Sequence, residues 1–497
     1  MGKENIELGK EPLTLEIAKK LASKTILSIN KEALRRVSES RSLVEKKVAE
    51  NKPVYGINTG FGVNASISIP GKELKKLQVN IIRSHATGFG NPLSAEESRL
   101  LLSLRLFTLL NGHTGVSSEL CLALKDLYHS EIIPLIPEKG SVGASGDLAP
   151  LAHLGLSLIG EGSVFLDGKK IEAKAALKKK GLKPYVLKEK EGLGLINGTQ
   201  AMLSVGSLAL YEALELFFKA NKVAALSFEA LRGNVDELNP LIHKARKQIG
   251  QIESAKDILG QLQGSSLLSK KTKRRFLQDP YSLRCAPQVH GASFDFLNFC
   301  KTIVERELNA STDNPLVFSK EGLILSGGNF HGEPLAISFD TAAIAVSEFA
   351  SISERRLELL LNPHFSGLTP FLAINPGLES GYMGFQYLSA SLVNENKVLS
   401  SPASVDSIPG NGGIEDHVSM GMTSARKLKQ IVYNVKVALV LEAISAAQAI
   451  TLGKLSHKLG KGTKKTFDLI REEVTPLTGD RIISEDVQKG LIFINKL

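Results

Sequence analysis

The sequence contains little cysteine: three residues in 497, at Cys121, Cys285 and Cys300. Three widely spaced cysteines build neither a disulfide framework nor a cysteine-rich zinc site. The sequence also lacks an H-E-x-x-H motif and any paired histidine spacing typical of a metal site. We therefore predict no bound metal ion and a reducing, cytoplasmic location.

Targeting and membrane-spanning segments are missing from the sequence as well. Residues 1–13 carry no apolar stretch typical of a signal peptide, and Ile6 breaks the myristoylation pattern. No charge-free apolar run of about 18 residues is present. The nearest candidate, 435–452, contains Lys436 and Glu442. We interpret it as a buried helix and expect no membrane partner.

An excess of acidic residues is also absent, since 61 Lys and Arg against 51 Asp and Glu give a net charge of +10. Such a charge is compatible with a nucleic-acid partner but does not require one. The one dense basic cluster, 269–275, reads Ser-Lys-Lys-Thr-Lys-Arg-Arg. Because no aromatic residues interleave with it, we interpret it as a solvated loop and predict no nucleic-acid partner.

The residues that are present form mainly helical patterns. Ser94 and Glu97 make a capping box at the start of a Leu-rich stretch, which ends at the C-cap signal Asn111-Gly112. The clearest strand signal is 163–171, where Asp167-Gly168 suits a type I′ hairpin. Long helices that are apolar on more than one face are predicted at about 200–230, 333–362, 385–400 and 416–455.

These patterns predict a mainly α protein. We expect a long central helical bundle together with a smaller N-terminal domain of helices and loops. The glycine-rich loops precede residue 210 and the long helices follow it. The predicted domains are therefore 1–210 and 211–497.

The most informative segment, 140–153, reads Gly-Ser-Val-Gly-Ala-Ser-Gly-Asp-Leu-Ala-Pro-Leu-Ala-His. Three glycines in seven residues indicate tight backbone geometry. Asp147 is placed to cap a helix that begins at Leu148. By composition alone this is an ordinary turn from a loop into a helix.

The order of residues in that segment resembles the signature of the aromatic amino acid ammonia-lyases, which comprise histidine, phenylalanine and tyrosine ammonia-lyases and related aminomutases. The resemblance implies that Ala144, Ser145 and Gly146 cyclise into a 4-methylidene-imidazole-5-one (methylidene-imidazolone, MIO) group, with no external cofactor. The Gly146 nitrogen would attack the Ala144 carbonyl, and the Ser145 hydroxyl would leave as water. The product is an electrophile that captures an amine, which is otherwise a poor leaving group.

Further blocks between about 50 and 425 match the same family. The block 54–62, Val-Tyr-Gly-Ile-Asn-Thr-Gly-Phe-Gly, resembles the family's tyrosine loop, and Tyr55 would be the base for the β-proton. The block 195–200, Leu-Ile-Asn-Gly-Thr-Gln, resembles the one whose Asn contacts the MIO, here Asn197.

Two later blocks complete the resemblance. In 278–285, Gln-Asp-Pro-Tyr-Ser-Leu-Arg-Cys, Tyr281 would line the MIO site and Arg284 would bind the substrate carboxylate with its planar guanidinium. In 327–331, Gly-Gly-Asn-Phe-His, Phe330 would lie near the electrophile.

Three positions resemble the histidine-directed members of the family. His85 follows Ser84 where phenylalanine- and tyrosine-directed members carry Phe-Leu or His-Leu, and Met383 matches a pocket position. Glu415 stands where phenylalanine- and tyrosine-directed members carry Gln. Its carboxylate can accept a hydrogen bond from an imidazole N–H, whereas against a phenyl ring it would be an unpaired charge. Ile414 departs from the pattern, because histidine-directed members usually carry Gln there.

The resemblance implies that the substrate is L-histidine and the products are trans-urocanate and ammonia, the first step of histidine degradation. It also implies a homotetramer whose sites draw residues from several subunits. A phenylalanine or tyrosine ammonia-lyase, or an inactive helical scaffold, is the alternative.

Overall fold

A computed structural model describes residues 5–50, 53–268 and 276–497. The basic cluster 269–275 lies outside these residues. Helices make up 62% of the chain and strands 8%. The prediction of a mainly α protein is confirmed.

The α-helices of the described residues are Leu15–Ala22, Lys31–Ala49, Leu74–His85, Ala95–Leu110, Ser118–His129, Leu148–Ile159, Ala173–Lys179, Glu191–Ile196, Gln200–Leu231, Pro240–Arg246, Ile249–Gln261, Tyr281–Arg284, Ala286–Leu308, Glu333–Leu361, Pro363–Ser366, Met383–Leu399, Gly421–Leu452, Lys461–Glu473 and Ser484–Lys496. The strands are Asn5–Leu8, Ile26–Ile29, Phe89–Pro92, Ile133–Pro134, Pro137–Lys139, Ser163–Leu166, Lys169–Glu172, Leu316–Phe318 and Leu323–Leu325. They form four small sheets of two or three strands, of which one is parallel.

The local signals in the sequence are confirmed where neighbouring residues satisfy them. Ser94 and Glu97 form both hydrogen bonds of the capping box at the start of Ala95–Leu110. In the predicted hairpin, Asp167 and Gly168 have φ values of 51° and 75° between paired strands. Positive φ at both central residues is the requirement of a type I′ turn.

The last long helix is shorter than predicted, since it begins at Gly421 rather than 416. The residue before it, Met420, has φ 55°, and its N–H donates to the Val142 carbonyl oxygen at 2.9 Å. A left-handed residue cannot continue a right-handed helix. A contact with a loop distant in the sequence therefore sets where this helix begins.

The chain divides into two compact units. The first comprises 1–211, 301–340 and 402–426, and the second comprises 212–300, 341–401 and 427–497. The division into domains at 1–210 and 211–497 remains a proposal. Within the first unit, fourteen of the sixteen residues of Ala95–Leu110 are buried, including Arg105.

Among the described residues, three helices are, by length and composition alone, long and apolar enough to cross a membrane: Gln200–Leu231, Glu333–Leu361 and Gly421–Leu452. In the last of them, 83% of the apolar window is buried inside the protein, as predicted for a buried helix. Glu442, which lies in this helix, is fully buried in the second unit.

Glu442 is paired with a fully buried arginine. Arg356 donates to both carboxylate oxygens, Nε to Oε1 at 2.6 Å and Nη2 to Oε2 at 2.9 Å. The Ser227 hydroxyl donates to Oε1 at 2.7 Å. A bidentate pair with an additional donor is the geometry that offsets the desolvation of two charges.

Glu442→Gln should lower the free energy of unfolding by about 3–5 kcal/mol, because it leaves the Arg356 charge buried without a counter-charge. Urea denaturation followed by circular dichroism measures the change. The double variant Arg356→Met/Glu442→Leu, which removes both charges, is the control and should cost much less. A single variant as stable as the wild type would contradict this account.

Candidate active site

Most of the predicted site residues surround one cavity in the first unit. The cavity has a volume of about 1240 Å³. Its lining includes Tyr55, His85, Ala144, Ser145, Asn197, Phe330 and Glu415. Residues predicted from six separate parts of the sequence thus converge at one place.

The Ala144-Ser145-Gly146 segment lies on the loop between the strand Pro137–Lys139 and the helix Leu148–Ile159. Gly146 is buried and has φ 72°, a conformation that favours glycine. A Cβ atom at this position would lie 2.2 Å from the Gly198 carbonyl oxygen. Any side chain at 146 would therefore separate the segment from the backbone of 197–198.

Residues 197 and 198 hold the segment by two hydrogen bonds. The Asn197 amide Nδ2 donates to the Ser145 carbonyl oxygen at 3.2 Å, and the Asp147 N–H donates to the Gly198 carbonyl oxygen at 2.7 Å. Asn197 itself is buried, and its Oδ1 has no hydrogen-bond partner. The contact between Asn197 and the segment, which the sequence implied, is present in the structure.

Asp147 occupies the N-cap position of Leu148–Ile159, but its side chain does not cap that helix. The prediction of a side-chain cap is wrong. One carboxylate oxygen accepts from the Ser141 hydroxyl and the other from the Met202 N–H, both at 2.7 Å. Met202 belongs to the first turn of Gln200–Leu231, whose N–H groups lack helical partners. Asp147 therefore caps the helix Gln200–Leu231 and connects its first turn to the Ala144-Ser145-Gly146 segment.

Burial raises the pKa of the Asp147 carboxyl to about 6, against hydrogen bonds that lower it. A carboxyl whose pKa is higher in the folded than in the unfolded state favours folding when protonated. Its contribution to stability therefore decreases as the pH rises from about 4 to 6.

The tyrosine loop, 54–62, is held beside the cavity by a cluster of buried apolar residues. Ile57, two residues after Tyr55, packs with Val44 and Val317 in a fully buried cluster. Farther along the loop, Gly62 has φ 55°, and a Cβ there would lie 2.1 Å from the Asn411 amide nitrogen. The loop thus lies directly against the segment that leads to Glu415.

Glu415 contacts the reactive segment itself. The Ser145 hydroxyl donates to Glu415 Oε1 at 3.0 Å, and the Asn411 amide Nδ2 lies 3.4 Å from the same oxygen. Asn411 has φ 49°, a conformation that asparagine tolerates better than most residues. The sequence analysis missed Asn411, although an Asn among three glycines was a signal for such a turn. Asn411 supplies a side-chain amide donor where Ile414 offers none.

The side chain of His85 has a defined tautomer. Its Nδ1 lies 2.8 Å from the Ile81 carbonyl oxygen, which can only accept a hydrogen bond. Nδ1 therefore carries the proton, and Nε2 is left as an acceptor on a ring that lines the cavity. Together with Glu415, the cavity presents two acceptors for ligand N–H groups.

Four predicted residues do not line this cavity: Gly146, next to Ser145 in the first unit, and Tyr281, Arg284 and Met383, which belong to the second unit. Tyr281 is 72% exposed. The Arg284 guanidinium lies 4.7 Å from the centre of the Tyr281 ring and donates to the Gln278 amide oxygen at 2.9 Å. One nitrogen of Arg284, Nε, is buried without a partner.

His331, Glu333 and His417 bring potential metal ligands within 4.8 Å of one another. However, both ring nitrogens of His331 take part in hydrogen bonds. Nδ1 accepts from the Glu333 N–H at 3.3 Å, so Nε2 carries the proton and donates to the His417 carbonyl oxygen at 3.2 Å. The His331 ring therefore has no free lone pair for a cation.

The residues present fit the MIO group that the segment would form. The close backbone of 198 requires the side-chain-free Gly146, whose amide nitrogen would be the attacking atom. The Asn197 amide Nδ2 donates to the Ser145 carbonyl oxygen, and the Glu415 carboxylate accepts from the Ser145 hydroxyl. A donor at the carbonyl stabilises negative charge that develops there when an amine adds to an electrophile.

Comparisons with known proteins show the family to which the chain belongs. Residues 13–472 match the aromatic amino acid lyase family. A histidine ammonia-lyase of Treponema denticola is 49% identical over 470 residues, which cover 94% of this chain and 92% of that protein. The crystal structure of histidine ammonia-lyase from Trypanosoma cruzi superposes with a TM-score of 0.92 at 38% identity, covering 99% of this chain and 94% of that chain.

A second solved structure, tyrosine aminomutase from Streptomyces globisporus, superposes with a TM-score of 0.95 at 35% identity. It covers 99% of this chain and 97% of the aminomutase chain. Sequence and structure therefore agree over nearly the whole chain, and the protein belongs to the aromatic amino acid lyase family.

Proposed function

We propose that the protein is a carbon-nitrogen lyase that converts L-histidine to trans-urocanate and ammonia, the first step of histidine degradation. The names of the similar proteins support histidine as the substrate. The observation that carries the proposal is the Glu415 carboxylate, 3.0 Å from the Ser145 hydroxyl in the same cavity as His85.

Glu415 and His85 would recognise the imidazole. Both are hydrogen-bond acceptors, and the N–H of an imidazole ring can donate to either of them. Phenylalanine has no such group, so its ring would leave the Glu415 charge desolvated and unpaired. Sites built to hydrogen-bond a substrate reject analogues that lack the group far more strongly than apolar pockets do.

The chemistry at the amine would come from Ala144, Ser145 and Gly146. The MIO that they form supplies an electrophile that captures the substrate amine and makes it a better leaving group. Tyr55, on the loop that faces Glu415, would remove the β-proton, and Asn197 would donate to the Ser145 carbonyl oxygen. Phe330 would pack beside the substrate in the cavity.

We further propose that the active form is a homotetramer and that Tyr281, Arg284 and Met383 reach the cavity from neighbouring copies. The volume of about 1240 Å³ exceeds the usual range for small ligands, which leaves room for such side chains. Arg284 would then bind the substrate carboxylate. The three free cysteines suit the reducing cytoplasm.

Ser145→Ala should fold normally but lose activity by about a thousandfold or more, because no β-hydroxyl remains to leave. Intact-mass spectrometry should show the wild type lighter by two water molecules and the variant undiminished beyond its substitution. Ser204→Ala, which removes a buried hydroxyl bonded within its own helix, is the matched control and should cyclise normally. Near-normal histidine turnover by Ser145→Ala would exclude the mechanism.

Glu415→Gln should lower kcat/KM for histidine about a hundredfold while changing that for phenylalanine less than about threefold, because the carboxylate recognises only the imidazole. Steady-state kinetics with both amino acids measure the difference. Glu96→Gln removes an exposed carboxylate outside the cavity and is the control. Equal losses of kcat/KM with both amino acids would mean that Glu415 does not recognise the imidazole ring.

A further inference from the structure

Arg105 is a fully buried arginine whose contacts lead to the active segment. It lies on the helix Ala95–Leu110, six residues after Arg99. Its hydrogen bonds go to neutral oxygens: Nη1 donates to the Asn197 carbonyl at 3.0 Å and to the Gln200 amide oxygen at 2.8 Å, and Nη2 donates to the Gly194 carbonyl. Burial lowers the pKa of Arg105 to about 10, so the guanidinium stays charged at neutral pH.

Burying a charged group against neutral acceptors is costly. The nearby carboxylate of Asp313 is engaged by Lys190 at 2.8 Å, and both of these side chains are fully buried. A neutral side chain in the place of Arg105 would avoid the desolvation cost. It could not, however, span three acceptors at the fixed angles of a guanidinium.

The acceptors of Arg105 explain what it positions. The Asn197 carbonyl belongs to the planar peptide that joins Asn197 to Gly198. When Arg105 fixes that carbonyl, it fixes the peptide plane and hence the side on which Gly198 pairs with Gly146. A Cβ at Gly198 would lie 2.6 Å from Arg105 Nη1, so the guanidinium lies directly against this backbone.

We propose that Arg105 is a positioning residue for the electrophile, which holds Asn197 and Gly198 in the geometry that Ala144-Ser145-Gly146 needs to cyclise and to react. The inference rests on the proposed function and extends it to a residue that does not touch the substrate. Cyclisation forms a bond from the Gly146 nitrogen to the Ala144 carbonyl carbon and releases two waters. One water takes the Ala144 oxygen and the amide hydrogens of Ser145 and Gly146; the other takes the Ser145 hydroxyl and α-hydrogen.

The test compares Arg105→Lys with Arg99→Lys. Arg99 is buried on the same helix and also donates to a carbonyl, that of Ala22, at 2.7 Å. Intact mass gives the fraction of chains that have lost two waters, and kinetics with histidine give kcat and KM per cyclised chain. Arg105→Lys should show incomplete water loss and a kcat about 10- to 100-fold lower, with KM within about twofold of the wild type. Arg99→Lys should cyclise fully and keep its kcat.

Complete water loss and unchanged kcat in Arg105→Lys would overturn the proposal. Equal changes in water loss and kcat in Arg105→Lys and Arg99→Lys, at equal midpoints of urea denaturation, would also overturn it. If Arg105→Lys does not fold, Gln200→Met decides, because it removes one acceptor of Nη1 and leaves the guanidinium present. Partial water loss or a reduced kcat in Gln200→Met supports the proposal. Wild-type water loss together with a wild-type kcat in this variant overturns it.

A wild type that cyclises but leaves histidine unchanged would contradict the proposed substrate alone. The masses of the variants would still test Arg105. The failure of the proposed function and the failure of this inference are therefore distinguishable.

Discussion

The close approach of two backbone segments determines the architecture of the site. A Cβ at Gly146 would lie 2.2 Å from the Gly198 carbonyl oxygen, so the backbone segments around 146 and 198 are in direct contact. Interiors are packed densely enough that even one methyl group there would force them apart. Side-chain contacts then hold each segment in place: Asn197 contacts Ser145, and Asp147 caps the helix that follows 198.

The same contact organises the charges around the cavity. Asp147 lies on the buried side of the segment and receives two hydrogen bonds there, whereas Glu415 lies on the cavity side and accepts from Ser145. The buried carboxylate serves structure and the cavity carboxylate is available to a ligand. Backbone packing thus separates two acidic groups, which would otherwise repel each other, into different roles.

Features encoded by residues a few positions apart were predictable from the sequence. The capping box at Ser94 and the Asp167-Gly168 turn are confirmed because each is completed by its immediate neighbours. Features that depend on distant contacts were not. The helix predicted from 416 begins at Gly421, because Met420 binds the backbone of the loop near 142.

The same difference between local and distant contacts applies to the site. Motif resemblance identified the residues that line the cavity, but it gave no signal for Arg105, whose role depends on carbonyl groups about ninety positions away. An arginine within a Leu-rich helical pattern carries no local mark of such a contact. Likewise, the sequence named Tyr281 and Arg284, which belong to the second unit and do not line this cavity.

The central claim is that this cavity deaminates histidine. The most direct measurement is the ultraviolet absorbance of the conjugated product when purified protein is incubated separately with L-histidine, L-phenylalanine and L-tyrosine. The account predicts a steady rise with histidine and a rise at least about a hundredfold slower with the other two. A rise with phenylalanine or tyrosine and none with histidine would contradict it, because the acceptors at His85 and Glu415 would then not select the substrate.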